Sequence, residues 1–244
     1  MGKGVFLALV GLFTVAYCGL VPSAQAETTI ACPSGTYDML DWMTLDSNLR
    51  GSKHLAGNAN PLFTNLGTGK FYWTKGANGE PWDIQLYDNN YVYLWITELN
   101  WTDPHTFKKF ANNTNMPLVP RCAKAGFPGS TIYVPNTSYQ TYSDCTHYTT
   151  QNLLKGINQV WGPYSITLGG NLPSNLEVLV ASYRYNCNSS FDRCGDKEEY
   201  YLAQKYGLVE WVHYSLVSGT YAMKQKTVFN QLVSGGTAPF FPCF

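Results

Sequence analysis

The chain has 244 residues, with 16 Lys plus Arg against 16 Asp plus Glu, a formal net charge of zero and 13% charged residues. There is no basic excess to neutralise phosphates, which argues against nucleic acid as a partner and against binding to an anionic membrane surface. Against this stand 18 Tyr, 12 Phe and 7 Trp, a composition that suits β-strands and contact with flat, partly apolar ligands.

The first residues carry Lys3, an apolar run over 5–21 and then Ala24-Gln25-Ala26. A charged start, an apolar stretch and a small-x-small site predict a signal peptide over 1–26 and a secreted product, extracellular or periplasmic. The run is short for a membrane anchor, so no membrane insertion is expected. The remainder, 27–244, reads as a single disulfide-linked, β-rich domain. It holds six cysteines, Cys32, Cys122, Cys145, Cys187, Cys194 and Cys243, an even number that in an oxidising compartment predicts disulfides. Cys187–Cys194 closes a short loop. Cys122–Cys145 and Cys32–Cys243 are the pairings expected for the rest. The end, Pro239-Phe-Phe-Pro-Cys-Phe244, has two prolines and no alternation, unlike an outer-membrane barrel strand.

After an extended lead-in, residues 37–49 read as a short helix or an irregular segment, and 51–69, rich in Gly, Asn and Ser, as loop. Residues 71–101 hold four of the seven Trp. Alternation over 82–87 predicts a strand, Asp88-Asn89-Asn90 a turn, and 91–99 a second strand with Tyr91, Tyr93, Trp95, Thr97 and Leu99 on one face. Glu98 then shares the apolar face with Val92, Leu94 and Ile96. Asp103-Pro104 marks a helix start within 102–110. Residues 130–134 read as a strand, 149–160 as a helix from the spacing of Leu153, Leu154, Ile157 and Val160, and 164–168 and 177–186 as strands. Asn-x-Ser/Thr sequons stand at Asn100, Asn112, Asn136 and Asn188.

The segment 197–232 reads as a three-strand meander with two-residue turns at Tyr206-Gly207 and Ser218-Gly219. Its strands are 198–205, 208–217 and 220–231. This pairing sets Tyr200 opposite His213, Leu202 opposite Trp211, His213 opposite Lys224 and Trp211 opposite Lys226. One face then carries Glu198, Tyr200, Trp211, His213, Lys224 and Lys226. The other, with Tyr201, Ala203, Leu208, Val212, Tyr214, Leu216, Tyr221, Met223 and Phe229, is expected to be core. Together the strands predict a mainly β protein, an antiparallel sandwich of jelly-roll type with long loops and one or two short helices.

No nucleotide loop, nucleophile elbow, metalloprotease helix or calcium loop occurs. The four histidines, His54, His105, His147 and His213, have no helix-face metal spacing, so no metal and no cofactor are expected. The expected partner is a polysaccharide or other glycan. Trp73, Trp82, Trp95 and Trp211 are candidate platforms, with Asp83 and Lys226 beside them. Two alternatives are carried. In the first, a polysaccharide lyase or glycoside hydrolase uses Tyr200, His213 and Lys224 as proton donor, base and carboxylate clamp, and Glu98 as an acid on an apolar face. In the second, the aromatic strands assemble with one another in a structural or adhesive protein. The stretch KQKTVFNQ, 224–231, is similar to the C-terminal strand of jelly-roll alginate lyases. It departs from that pattern at Phe229, where Tyr is usual, and no matching Arg/Glu strand lies upstream, so it does not carry membership.

Overall fold

The computed structural model describes residues 30–49, 53–54, 64–67, 69–75, 80–100, 106–110, 116–126, 129–135, 137–143, 146–153 and 155–233. The expected signal peptide, Cys145, Cys243, the sequons at Asn112 and Asn136, and the chain end lie outside the described residues.

Strand β1 (Tyr37–Asp38) runs into helix α1 (Met39–Met43), then β2 (Lys53–His54), β3 (Thr64–Gly67), β4 (Lys70–Lys75) and β5 (Glu80–Tyr87). There follow β6 (Tyr91–Asn100), β7 (Thr106–Phe110), β8 (Met116–Pro120), β9 (Cys122–Ala123), β10 (Thr131–Val134), β11 (Thr137–Tyr142) and β12 (Tyr148–Leu153). The last are β13 (Lys155–Ile166), β14 (Leu176–Cys187), β15 (Cys194–Ala203), β16 (Gly207–Val217), β17 (Thr220–Val228) and β18 (Leu232–Val233). The protein is mainly β, and every pairing among the described strands is antiparallel. One sheet has the order β10-β13-β14-β15-β16-β17. The other runs β12-β11-β7-β6-β5-β4-β3, with β8 on β6. Among the described residues, no helix is long and apolar enough to cross a membrane.

Both sheets and α1 send side chains into one apolar cluster. Phe71, Trp73, Leu94, Phe110 and Val119 come from the larger sheet, Leu179, Tyr200, Leu202 and Leu208 from the smaller, and Met39, Leu40, Trp42 and Met43 from the helix. The side of each sheet that faces this cluster is called inner below. The helix begins where Asp38 Oδ1 accepts from Leu40 N at 3.0 Å, the usual stop for an unpaired first-turn donor. The same carboxylate takes the Arg121 guanidinium in a two-pronged pair, 2.5 Å from Nε and 2.9 Å from Nη2. Arg121 is buried, and the next residue, Cys122, is bonded to Cys32. The N-terminal segment is thus pinned to β9 by a disulfide, a short ladder and a buried ion pair.

The Cys32–Cys122 bond corrects the two longer pairings expected from the sequence, because Cys122 is not available to Cys145 nor Cys32 to Cys243. The Cys187–Cys194 bond is present. The expected helix over 149–160 is also corrected: the segment contributes β12 and β13. Ile157 and Val160 have helical spacing, yet on a regular strand residues three apart face opposite ways, so Val160 enters the shared core and Ile157 the cluster around Cys187 and Cys194. Ladders on both sides of β13 outweigh a weak local preference. The described part of 102–110 is likewise a strand.

Candidate functional site

Strand β15 carries Asp196, Glu198, Tyr200 and Leu202 at period two, and the ladders align three rows on the inner face. Tyr200 lies between Ala181 and Trp211, Glu198 between Tyr183 and His213, and Asp196 between Tyr185 and Ser215. Burial falls along these rows from the α1 end outward: Leu202 is 0% exposed, Tyr200 4%, and the Asp196 side chain 25%. Tyr185, Trp211 and His213 are half-buried. The inner face is therefore sealed at one end and open at the other.

At the sealed end, Trp73 is fully buried and its Nε1 donates to Met43 O at 3.2 Å. Its ring lies 5.2 Å from that of Tyr200. Trp82 bridges outward, 6.4 Å from Tyr200 and edge-to-face on Trp211 at 5.4 Å and 89°. Trp211 in turn stacks on His213 at 6.1 Å and 16°. A continuous line of rings thus leads from the core to the opening.

Glu198 is the polar hub of this line. Its Oε1 accepts from Tyr185 OH at 3.1 Å, and its Oε2 from Trp211 Nε1 at 3.1 Å and from Tyr200 OH. Beyond it, Asp196 accepts from Ser215 Oγ and Asn186 Nδ2, each at 2.9 Å. His213 Nε2 lies 3.6 Å from Asp196 Oδ1 and 3.5 Å from Tyr185 OH. Burial, followed by the charges of Glu198 and Asp83, raises the Tyr200 hydroxyl well above the ordinary tyrosine range. Tyr185 is raised by burial and then by Glu198 and Asp196. Both phenols therefore keep their protons and act as donors. Burial lowers Lys108 of the facing sheet, and the Glu198 charge opposes that shift; its Nζ lies 5.2 Å from the centre of the Tyr139 ring.

Of the residues singled out from the sequence, Trp73, Trp82, Asp83, Tyr200, Trp211 and His213 come together here, with Asp83 buried beside Trp73 on β5. The face they share is the inner one, whereas the sequence assigned the core to the opposite face. The pairings differ as well. The first turn closes at Ala203–Gly207 with an extra residue at Val209, so Tyr200 faces Trp211 and Glu198 faces His213. The Ser218-Gly219 turn forms with positive φ at both residues, 51° and 83°, as a type I′ hairpin requires. Lys224 is then left over as a bulge, which sets His213 opposite Gln225 and Trp211 opposite Thr227.

Two lysines leave the site in consequence. Lys224 is exposed, and Lys226 pairs with Val212 on the outer face, its Nζ 2.9 Å from Glu210 Oε1. Trp95 leaves for the same kind of reason. It is the extra residue between the Ile84–Ile96 and Gln85–Leu94 pairs, and it packs on a separate cluster of Ile84, Ile96, Phe107 and Tyr142. This bulge also splits Leu94 from Ile96, so the alternation read through to Glu98 does not hold; of Glu98 only the backbone, paired with Phe107, is described. The sequence reading missed Tyr185 and Asp196 and did not see Glu198 as a hub. The period-two pairs Tyr183-x-Tyr185 and Glu198-x-Tyr200 were the available signal.

Among the described residues, no group of three His, Cys, Asp or Glu is placed to hold a metal ion. No protein-family model matches this chain, and no curated protein or solved structure matches it significantly.

Proposed function

We propose that this is a secreted polysaccharide-binding protein that holds glycan at the open end of the inner face. The observation that carries this reading is the half-buried, edge-to-face pair Trp82–Trp211 beside Glu198, Asp196 and His213. Indole rings cover the apolar faces of sugar rings while their rims stay wet, and a few convergent polar groups orient the hydroxyls. Tyr200 and Glu198 position these rings from beneath. Secretion is supported by the N-terminal pattern of residues 1–26 and by two disulfides, which suit an oxidising compartment. The fold proposed for 27–244 is one β-sandwich domain, supported by the core that the two sheets share. The order of neighbouring strands is largely sequential, so these observations support the sandwich and not its jelly-roll winding.

A second reading, as a polysaccharide lyase or glycoside hydrolase, draws on the closeness of His213 to Tyr185 and Asp196. In that reading Tyr185 replaces Tyr200 as the proton donor that reaches substrate, because both hydroxyls bond Glu198 but Tyr200 is enclosed whereas Tyr185 is half-buried.

The test is to incubate the oxidised protein with neutral, amino and uronate polysaccharides, following pull-down, reducing ends and the absorbance of new unsaturated ends. Retention without product supports the binding protein. Product supports the enzyme. Absence of both counts against each.

A further inference from the structure

Resting on the glycan reading above, we propose that the open rim selects saccharides that carry an amine and disfavours uronates, with Asp196 as the residue that sets this preference. The cations offered by the sequence for this face stand elsewhere: Lys224 is exposed at a bulge of β17, and Lys226 is paired with Glu210 on the outer face. Lys108 acts on Glu198 from the facing sheet and lies over the Tyr139 ring, so it balances the carboxylate that already accepts from Tyr185, Tyr200 and Trp211. Asp196 remains. Its own contacts are two neutral donors, Ser215 and Asn186, and His213 at 3.6 Å, and a quarter of its side chain is open to solvent.

A carboxylate has about four acceptor positions, so Asp196 keeps room for a ligand donor. A glycan stacked at Trp82 and Trp211 that extends along the rows past His213 brings its next unit to this carboxylate, which favours an ammonium there. A uronate in the same place sets like charges side by side, an arrangement that binding sites use to reject a ligand.

The experiment compares oligomers of glucosamine and of glucose with the same linkage and length, and an oligouronate, by calorimetry on the whole protein and on Asp196→Asn. The pH is one at which the sugar amine is protonated. The glucosamine oligomer is expected to bind about fivefold tighter than the glucose oligomer at low salt, the upper end for a charge pair partly in water. The preference shrinks at high salt. In Asp196→Asn it disappears, and circular dichroism with the denaturant midpoint reports that the variant is folded. Equal affinity for the two oligomers, tightest binding of the uronate, or a preference that survives in Asp196→Asn overturns the proposal and leaves glycan binding standing. Binding of none of the three overturns both.

Discussion

Glu198 and Glu199 are adjacent in the chain and project to opposite faces of the same strand, and each collects two tyrosines and one further donor. On the inner face Glu198 takes Tyr185, Tyr200 and Trp211. On the outer face Glu199 takes Tyr201 at 3.2 Å, Tyr214 at 3.1 Å and Lys197 at 2.8 Å. The local cause is the same: the run Glu198-Glu199-Tyr200-Tyr201 places a tyrosine two residues after each carboxylate, hence on its own face. The surroundings differ. Glu199 is tiled over by Lys197, which lies 4.0 Å from the Tyr214 ring centre and 5.2 Å from that of Tyr221, so its charge is met within the cluster. Glu198 stands at the mouth of a line of indole rings. A carboxylate hub alone therefore does not make a site; the open aromatic ground beside it does.

The sharpest way to break this comparison is to remove the ring that closes the sealed end. Trp73→Ala, at a fully buried position, is expected to cost about 3–5 kcal/mol, whereas Trp82→Ala, at a half-buried one, costs about 1–2. Denaturant midpoints at constant slope measure both, and equal losses would mean that the inner face has no sealed and open ends.

Next come the two hubs. Glu198→Ala strands the enclosed Tyr200 hydroxyl and is expected to cost about 3 kcal/mol. Glu199→Ala costs about 2, because Tyr201, Tyr214 and Lys197 can each turn to water. The reverse order in thermal or urea unfolding would contradict the account.

A third test uses alkali. Burial and then Glu199 push Tyr214 up to about 12, and burial with the Glu198 charge raises Tyr185 and Tyr200 well above the ordinary tyrosine range. The folded state thus binds more protons than the unfolded chain above the ordinary tyrosine pKa of 10.0. The stability these groups supply is whole below that pH and is lost as pH rises toward 12. Tyrosinate absorbance should show Tyr214→Phe removing a group that titrates near pH 12, and Tyr200→Phe removing one that ionises only with unfolding.

The smallest effect is expected for Lys226→Ala, which breaks the pair with Glu210. The lysine side chain is 45% exposed, so the loss is less than about 1 kcal/mol and falls further with added salt.

Much of the strand pattern was legible in the sequence because alternation and turn residues are local properties. Asp88 caps its turn as expected, accepting from Asn90 N and Tyr91 N. The Ser218-Gly219 hairpin forms with the expected two-residue loop. What escaped were single extra residues at Trp95, Val209 and Lys224. Each leaves the strand readable and changes which side chains share a face, and nothing in the local composition announces it. That is why Trp95 and Lys226 were grouped with a site they do not reach. The inner and outer faces of β15 were exchanged for a related reason. Both carry Glu and Tyr, so period alone does not say which face meets the second sheet.

The most direct test sets one face of β15 against the other. Electrophoresis through gels loaded with a polysaccharide that retards the wild-type protein is run with Trp211→Ala and with Tyr214→Ala, both checked for folding by circular dichroism. The account predicts that Trp211→Ala abolishes the retardation and Tyr214→Ala keeps it. Retardation lost in Tyr214→Ala and kept in Trp211→Ala would place the glycan on the outer face and contradict it.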